Sequence, residues 1–500
     1  MDKNRYDANS DVNISSFDVN DKTPILGSPH DNRSRLLSKR CVILVLVGVV
    51  LLFGVSVTSI ILYSKYFGFN TRTPDPEFPL PPSSMPMGLY HNVGVVSNGG
   101  PCAQIGVDVM SKGGNAIDAA IATILCDGVV CPHQMGVGGG FIMSFYNATT
   151  KKVMSINARE TAPAAATTNM FVKDPMSSIN GMYYKKYKFV EIEESFSVKL
   201  KSGYTIHAGP PPGSGIILAF ILRILDGILP APNTGLDAHR LVEAFKFGYG
   251  ERTHLGDHKF VNVSQIYNKV KSDTYMDSIQ KKISDNFTSP DPKYYGADFV
   301  MPDNHGTANL ATIDSMGNVV VCTNTINTHF GSGFMSPNTG IIFNNQMNDF
   351  STPGVSNHYG IPSSPSNFIK PGKRPMSSMC PTIFTDKNGD FVLAAGAAGG
   401  SKITLATSYA SALKLWYNKT LKEVIDKPRI YHQLMPMQVQ YEYGTTKDVV
   451  QKLKDIGHTV VRLKDNGGSG GSAASAIARS SSGMIEVMPD FRRKGNSSGY

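Results

Sequence analysis

The chain has 500 residues, 41% of them hydrophobic, with 48 Lys+Arg against 39 Asp+Glu and a net charge of +9. That length exceeds one ordinary core and calls for one large or two moderate domains. The positive charge is spread thinly, with no long basic run interleaved with aromatics, so no nucleic-acid partner is indicated. The 12 His form no tight Cys/His cluster, which argues against a structural zinc site.

In chain order, residues 1–40 are polar and rich in Asn, Asp and Ser, a disordered tail by composition. Residues 41–63 (CVILVLVGVVLLFGVSVTSIILY) are uncharged and apolar. At ~1.5 Å per residue, a helix over 41–64 exceeds the ~30 Å hydrocarbon core. The run lies too far from Met1, and is too long, for a cleaved signal peptide. Arg33, Arg35, Lys39 and Arg40 precede it, and Lys65 is the nearest charge after it. The positive-inside bias makes 1–40 a cytoplasmic tail and 41–64 a signal-anchor helix, with the bulk outside. The chain then reads as a single-pass type II protein of the plasma membrane. Asn147, Asn262, Asn286, Asn418 and Asn496 each open an Asn-x-Ser/Thr triplet and are candidate glycosylation sites in that compartment.

Residues 65–90 form a Pro-rich stalk, and the globular part starts near Gly88. A helix is predicted over 115–126, after a Gly-Gly turn, and a buried strand over 141–146. The glycines of 136–140 lead into a strand and not a helix, so they mark a tight turn and not a dinucleotide fingerprint. Residues 210–215 form an entry turn to a buried helix at 216–225. Later come strands at 310–313, 319–322 and 391–395 and a helix at 402–417. A helix at 447–456 is stopped by Gly457, and a strand follows at 459–463. The mixture implies stacked sheets flanked by helices. Beyond the membrane stand Cys102, Cys126, Cys131, Cys322 and Cys380, an odd number, so at least one stays free or pairs outside the chain.

The stretch Asn304-His-Gly-Thr-Ala-Asn-Leu310 carries the chemistry. A Gly-Thr junction opening a strand is what a self-cleaving N-terminal-nucleophile hydrolase requires. The Thr307 hydroxyl attacks the Gly306 carbonyl, the chain breaks, and the freed α-amine becomes the base that activates the same hydroxyl.

Taken with four further motifs, this junction resembles the γ-glutamyltransferase (γ-glutamyl transpeptidase) family. The motifs are Gly113-Gly-Asn-Ala-Ile-Asp-Ala-Ala, Ile156-Asn-Ala-Arg-Glu160, Phe343-Asn-Asn-Gln-Met-Asn-Asp349 and Pro371-Gly-Lys-Arg-Pro-Met-Ser-Ser-Met-Cys-Pro381. The set covers nearly all of the region beyond the membrane, and the anchor suits the animal members. The resemblance implies an α+β fold, the four-layer αββα sandwich of N-terminal-nucleophile hydrolases, here preceded by one transmembrane helix. It implies a large chain (91–306) and a small catalytic chain (307–500) cut from one precursor between Gly306 and Thr307. It implies no cofactor and no metal. The donors would be glutathione and its γ-glutamyl conjugates, and the acceptors water, amino acids or dipeptides. By resemblance, Thr307 is the nucleophile, Thr325 bonds it, and Gly399 and Gly400 supply the oxyanion donors. Asp349 and Gln346, with Asn327 beside them, hold the substrate α-amine. Arg159, Ser377 and Ser378 hold the α-carboxylate. A Cys102–Cys126 disulfide is implied, and Cys380 reads as a buried thiol. The short 349–371 segment lacks the lid of some bacterial members, so an open site is expected.

Two features depart from the family pattern. Asn309 stands where relatives usually carry His. Between about 172 and 188 the large-chain region is internally shortened, and 183–189 joins directly to later family pattern. Loss of a block there would strip helices from one layer and expose apolar surface. The alternative to an active enzyme is therefore an uncleaved, inactive membrane glycoprotein lacking part of the large chain.

Overall fold

The computed structural model describes residues 32–66, 73–179, 190–302, 306–356, 360–464 and 471–500. The tail up to residue 31, the 183–189 segment and residues 304–305 lie outside them. Two units divide the chain, Met1–Pro74 and Asp75–Tyr500. The described part of the first is one helix, Asn32–Tyr66, within which Val42–Ser59 is long and apolar enough to cross a membrane.

The second unit begins earlier than Gly88. The residues from 75 to 87 carry no helix or strand, yet they are tied to the body. Asp75 accepts from the Tyr441 hydroxyl at 2.7 Å and from Arg462 at 3.0 Å. Ser83 binds the Asp426 carboxylate through its amide and its hydroxyl, both at 2.8 Å.

Two seven-stranded sheets form the centre of this unit. One runs, in spatial order, Gly88–Tyr90, Ile485–Met488, Ala473–Arg479, Phe391–Ala398, Thr382–Thr385, Thr205–Ala208, Phe196–Lys199. The other runs Asn496–Gly499, Gly94–Ser97, Ala308–Ile313, Val319–Thr325, Gly140–Asn147, Lys152–Ala158, Glu191–Glu194. Phe391–Ala398 and Ala473–Arg479 face Ala308–Ile313 and Val319–Thr325 across the interface. Helices Gly215–Leu225 and Lys402–Trp416 cover the first sheet, while Cys102–Ser111 and Ala116–Val130 cover the second. This is the four-layer helix–sheet–sheet–helix order.

Local chemistry explains the elements. Ala116–Val130 starts at Asn115, whose side chain accepts from Ile117 and Asp118 amides while Asp118 returns a bond to the Asn115 amide. Every residue of Ala308–Ile313 and Val319–Thr325 is buried, because sheet covers one face and helix the other. Gly215–Leu225 is buried throughout, which matches a sequence apolar at every position but Arg223, and Arg223 is paired with Asp273. Lys447–Ile456 ends at Gly457 with φ +106, a conformation that glycine adopts without strain.

The helical cover of the second sheet thins toward its last strands. Phe141, Phe145 and Ile156 are only partly buried, and Ile192, on the edge strand Glu191–Glu194, is 67% exposed. That is the layer from which a missing block would remove helices.

Candidate functional site

Gly306 and Thr307 lead into the strand Ala308–Ile313, which pairs with Val319–Thr325 in a register that sets Ala308 opposite Asn324. One step back, Thr307 comes beside Thr325. Gly306 has φ +83, and a Cβ there would stand 2.3 Å from the Asn327 carbonyl oxygen. Only glycine lets the backbone pass that close. The Thr307 hydroxyl donates to the Gly306 carbonyl oxygen. The Thr325 hydroxyl reaches the same oxygen at 3.5 Å and accepts the Asn327 amide at 2.8 Å. Two hydroxyls therefore converge on the carbonyl that self-cleavage would attack.

Around this bond lies a small cavity, lined by Arg159, Gly306, Thr307, Thr325, Asn327, Asp349, Ser377, Ser378 and Gly400, with Met379 and Ile403 as apolar wall. The sequence-predicted site residues thus meet in one place, save two. Gln346 stands just behind, donating to the Thr325 carbonyl at 3.3 Å. Gly399, outside the lining, turns the strand Phe391–Ala398 into the helix Lys402–Trp416. A Cβ on it would come within 2.8 Å of the Gly471 carbonyl oxygen.

Arg159 and Asp349 are 1% and 3% exposed and form an ion pair with each other. Arg159 also donates to the Pro375 and Met376 carbonyls at 3.4 and 3.3 Å, which tethers it to the Ser377-Ser378 turn. The Asn327 Oδ1 and Gln346 Oε1 atoms are buried and have no hydrogen-bond donor among the described residues. Two orphaned acceptors beside a carboxylate suit an incoming ammonium group.

Thr307 is 3% exposed in the continuous chain, where Gly306 lines the cavity beside it.

Sequence reasoning missed several supporting residues. Arg252, at the end of the helix Thr234–Arg252, donates to the Ser378 hydroxyl at 3.0 Å. Arg493 donates to the Thr307 carbonyl at 2.8 Å and to Gln134 Oε1 at 3.1 Å. Asn309 bridges the sheets, donating to Ser475 at 2.8 Å and accepting from Thr323 at 2.9 Å. It fits against Gly396, where a Cβ would stand 2.1 Å from its Oδ1.

A buried trio, His239, Glu243 and His458, has its ligand atoms close enough to hold a cation. Those atoms are already engaged. Lys246 places its ammonium 2.8 Å from Glu243, the Tyr295 hydroxyl donates to Glu243 at 2.9 Å, and the two imidazoles bond each other at 2.8 Å. Lys246 supplies the positive charge that a metal would bring, so the trio is a structural tie.

Cys102 and Cys126 form a disulfide, while Cys131, Cys322 and Cys380 are thiols. Burial pushes the Cys380 thiol up to about 12, as expected for an inert core cysteine. Asn262, Asn286, Asn418 and Asn496 are exposed, whereas Asn147 is half-buried and accepts the Thr150 amide at 2.9 Å.

A family model described as Gamma-glutamyltranspeptidase matches residues 102–186 and 177–500, two segments that overlap at 177–186. Among curated proteins, the chain is 33% identical to Scoloptoxin SSD14 of Scolopendra dehaani, over 83% of this chain and 93% of that protein. It is 30% identical to Glutathione hydrolase 3 of Arabidopsis thaliana, over 77% of this chain and 80% of that one. Among solved structures, a cephalosporin acylase from Bacillus halodurans superposes with a TM-score of 0.70 at 20% identity, covering 85% of this chain and 99% of that one. At that identity the likeness speaks for the fold alone. The family match runs across the Gly306–Thr307 bond and takes in every residue gathered around it, so the chain belongs to the gamma-glutamyltranspeptidase family, N-terminal-nucleophile enzymes that cleave themselves and then hydrolyse or transfer γ-glutamyl groups.

Proposed function

We propose that Thr307 is the nucleophile in both self-cleavage and γ-glutamyl transfer. The observation that carries this is the convergence of the Thr307 and Thr325 hydroxyls on the Gly306 carbonyl oxygen. In maturation the Thr307 oxygen bonds to the Gly306 carbonyl carbon, and the amide C–N bond breaks as its nitrogen takes the hydroxyl proton. Thr325 donates to the developing oxyanion. Water then hydrolyses the ester, leaving a Gly306 carboxylate and a free α-amine on Thr307. The products are the chains 1–306 and 307–500.

In turnover the α-amine accepts the hydroxyl proton while the oxygen attacks the γ-carbonyl of the donor. The amides of Gly399 and Gly400 would supply the oxyanion donors. The leaving amine takes the proton, and water, an amino acid or a dipeptide resolves the γ-glutamyl ester. Arg159, Ser377 and Ser378 receive the donor α-carboxylate, and Asp349, Asn327 and Gln346 receive its ammonium. Until then Arg159 and Asp349 satisfy each other, and a zwitterion would meet the pair with complementary charges.

The donors of this reading are glutathione and its conjugates, in keeping with the name of the Arabidopsis relative. The residues that line the site are placed for the γ-glutamyl end alone, and Gly306 among them would have to withdraw after cleavage for a donor to enter. The Val42–Ser59 span supports a type II anchor, with catalysis on the extracellular side of the plasma membrane. The four exposed Asn-x-Ser/Thr sites, together with Asn147, are the proposed glycan positions.

A second reading, an uncleaved glycoprotein, draws on the thinned helical cover and the exposed Ile192. A denaturing gel after deglycosylation, with N-terminal sequencing, decides between them. An active enzyme gives two chains and a Thr-Ala-Asn-Leu start, and Thr307→Ala stays whole. A wild-type chain that also stays whole overturns the enzyme reading. Release of p-nitroaniline from γ-glutamyl-p-nitroanilide, with and without a dipeptide, then separates transfer from hydrolysis.

A further inference from the structure

We propose that Arg493 is a positioning residue whose fixed positive charge keeps the freed Thr307 α-amine in its neutral, proton-accepting form; this rests on the function proposed above. Arg493 ends the short 3₁₀ turn Phe491–Arg493, between Ile485–Met488 of one sheet and Asn496–Gly499 of the other. From that crossing it donates 2.8 Å to the Thr307 carbonyl and 3.1 Å to Gln134. The Gln134 carbonyl in turn accepts the Ile326 amide at 3.3 Å, so one loop ties Arg493 to the strand that carries Thr325.

The charge is not neutralised by a neighbour. Among the described residues no carboxylate lies within ion-pair distance of Arg493. Arg429 takes Asp490 at 2.6 Å, and Arg492 takes Glu442 at 2.6 Å. Burial pulls the Arg493 guanidinium below its usual pKa, with Asp490 opposing, yet an arginine stays charged at any physiological pH. The α-amine and the carbonyl of one residue are separated by two bonds through Cα. The donating guanidinium nitrogen therefore sits within ~6 Å of the amine, near enough to disfavour an ammonium there.

Other charged groups around the amine do not cancel this effect. Across the cavity Arg159 meets Asp349 and, at 3.8 Å, Glu160, while Arg252 stands behind Ser378, so two cations oppose two carboxylates there. Lys402, on the helix Lys402–Trp416, places its ammonium over the Tyr431 ring. On the helix Ala116–Val130 and the loop after it, burial holds Cys131 up at about 11, so it is neutral at pH 7.4, and holds Asp127 up at about 7, so Asp127 gains its full negative charge only above that pH. His133, next on that loop, is shifted down by burial and stays neutral. A free α-amine titrates near ~7.8, and a downward shift of ~1 unit would make most of it neutral at pH 7.4.

The experiment compares kcat/KM against pH for wild type, Arg493→Gln and Arg493→Lys, each shown by N-terminal sequencing to begin at Thr307. With γ-glutamyl-p-nitroanilide as donor, Arg493→Gln should move the acidic limb up by ~1 pH unit, and Arg493→Lys should leave it in place. The donor KM should hold in both, since Arg493 does not line the cavity. An unmoved limb in Arg493→Gln, or an equal shift in both variants, overturns the inference. So does a failure of both variants to cleave, which would make Arg493 a structural tie only. A wild-type chain that stays whole removes the parent reading and this one with it, whereas a cleaved wild type with an unmoved limb removes this one alone.

Discussion

Gly306→Ala tests whether the geometry of the scissile bond, and not only the identity of Thr307, drives cleavage. At φ +83 an alanine pays about 1 kcal/mol for a left-handed conformation. Its Cβ would also stand 2.3 Å from the Asn327 carbonyl oxygen, a backbone atom fixed between Thr325 and Asn345. Relief of that contact requires a shift of ~1 Å, and a misplacement of that size lowers the rate of a positioned reaction by ~100-fold. Gly203→Ala is the control: its φ is +97 but nothing lies within 4 Å of a built Cβ. Both variants should lose ~1 kcal/mol or somewhat more of stability, read by thermal unfolding. Only Gly306→Ala should slow the appearance of the 307–500 chain in a timed denaturing gel. Cleavage of Gly306→Ala at the wild-type rate would refute the reasoning.

Three other outcomes are expected. Arg252→Met removes the donor to Ser378, so the donor KM should rise ~10-fold, as for loss of a charged hydrogen bond, with kcat changed less. Asp127 is held up at about 7 by burial, so the folded state binds its proton more tightly than the unfolded chain does. Its stabilising effect is complete below pH ~4 and is lost as pH rises through ~7, so Asp127→Asn should raise the unfolding temperature at pH 8 and leave it unchanged at pH 4. Replacing both Cys102 and Cys126 by Ser opens a loop with a sequence separation of 24 and should lower stability by ~3 kcal/mol in denaturant titration.

What the sequence made legible was local. The capping box at Asn115 and the apolar run of Gly215–Leu225 are written in neighbouring residues. The strands at 310–313 and 319–322 were legible as apolar runs, and their antiparallel pairing, with Ala308 opposite Asn324, is what brings Thr325 beside Thr307. Asn496–Gly499 was illegible for the opposite reason. Its sequence Asn-Ser-Ser-Gly has no strand preference, and only pairing with Gly94–Ser97 makes it one. Arg252 and Arg493 act on partners 126 and 186 residues away, so no window of sequence holds both ends of either bond. The stretch from 75 to 87 reads as a stalk by proline content, and its attachment depends on Asp75 meeting Tyr441 and Arg462.

The burial of the site follows from the same bond that defines it. A motif can say which residues surround a substrate, but it carries no record that the uncut chain already places a carbonyl there. Gly306 holds the ground over Thr307 that a γ-carbonyl must later take, and Thr325 addresses that carbonyl oxygen as it would an oxyanion. The precursor is in this sense the first acyl donor of its own site. Cleavage at this bond, as proposed, would do two things at once: free the amine that serves as base, and release Gly306 from the cavity wall. An intermediate with a cut chain but a retained 306 terminus would have the base and no room for donor. On the proposed function, the order of events would be cleavage, displacement of the new carboxylate, and only then admission of a zwitterion to the Arg159–Asp349 pair.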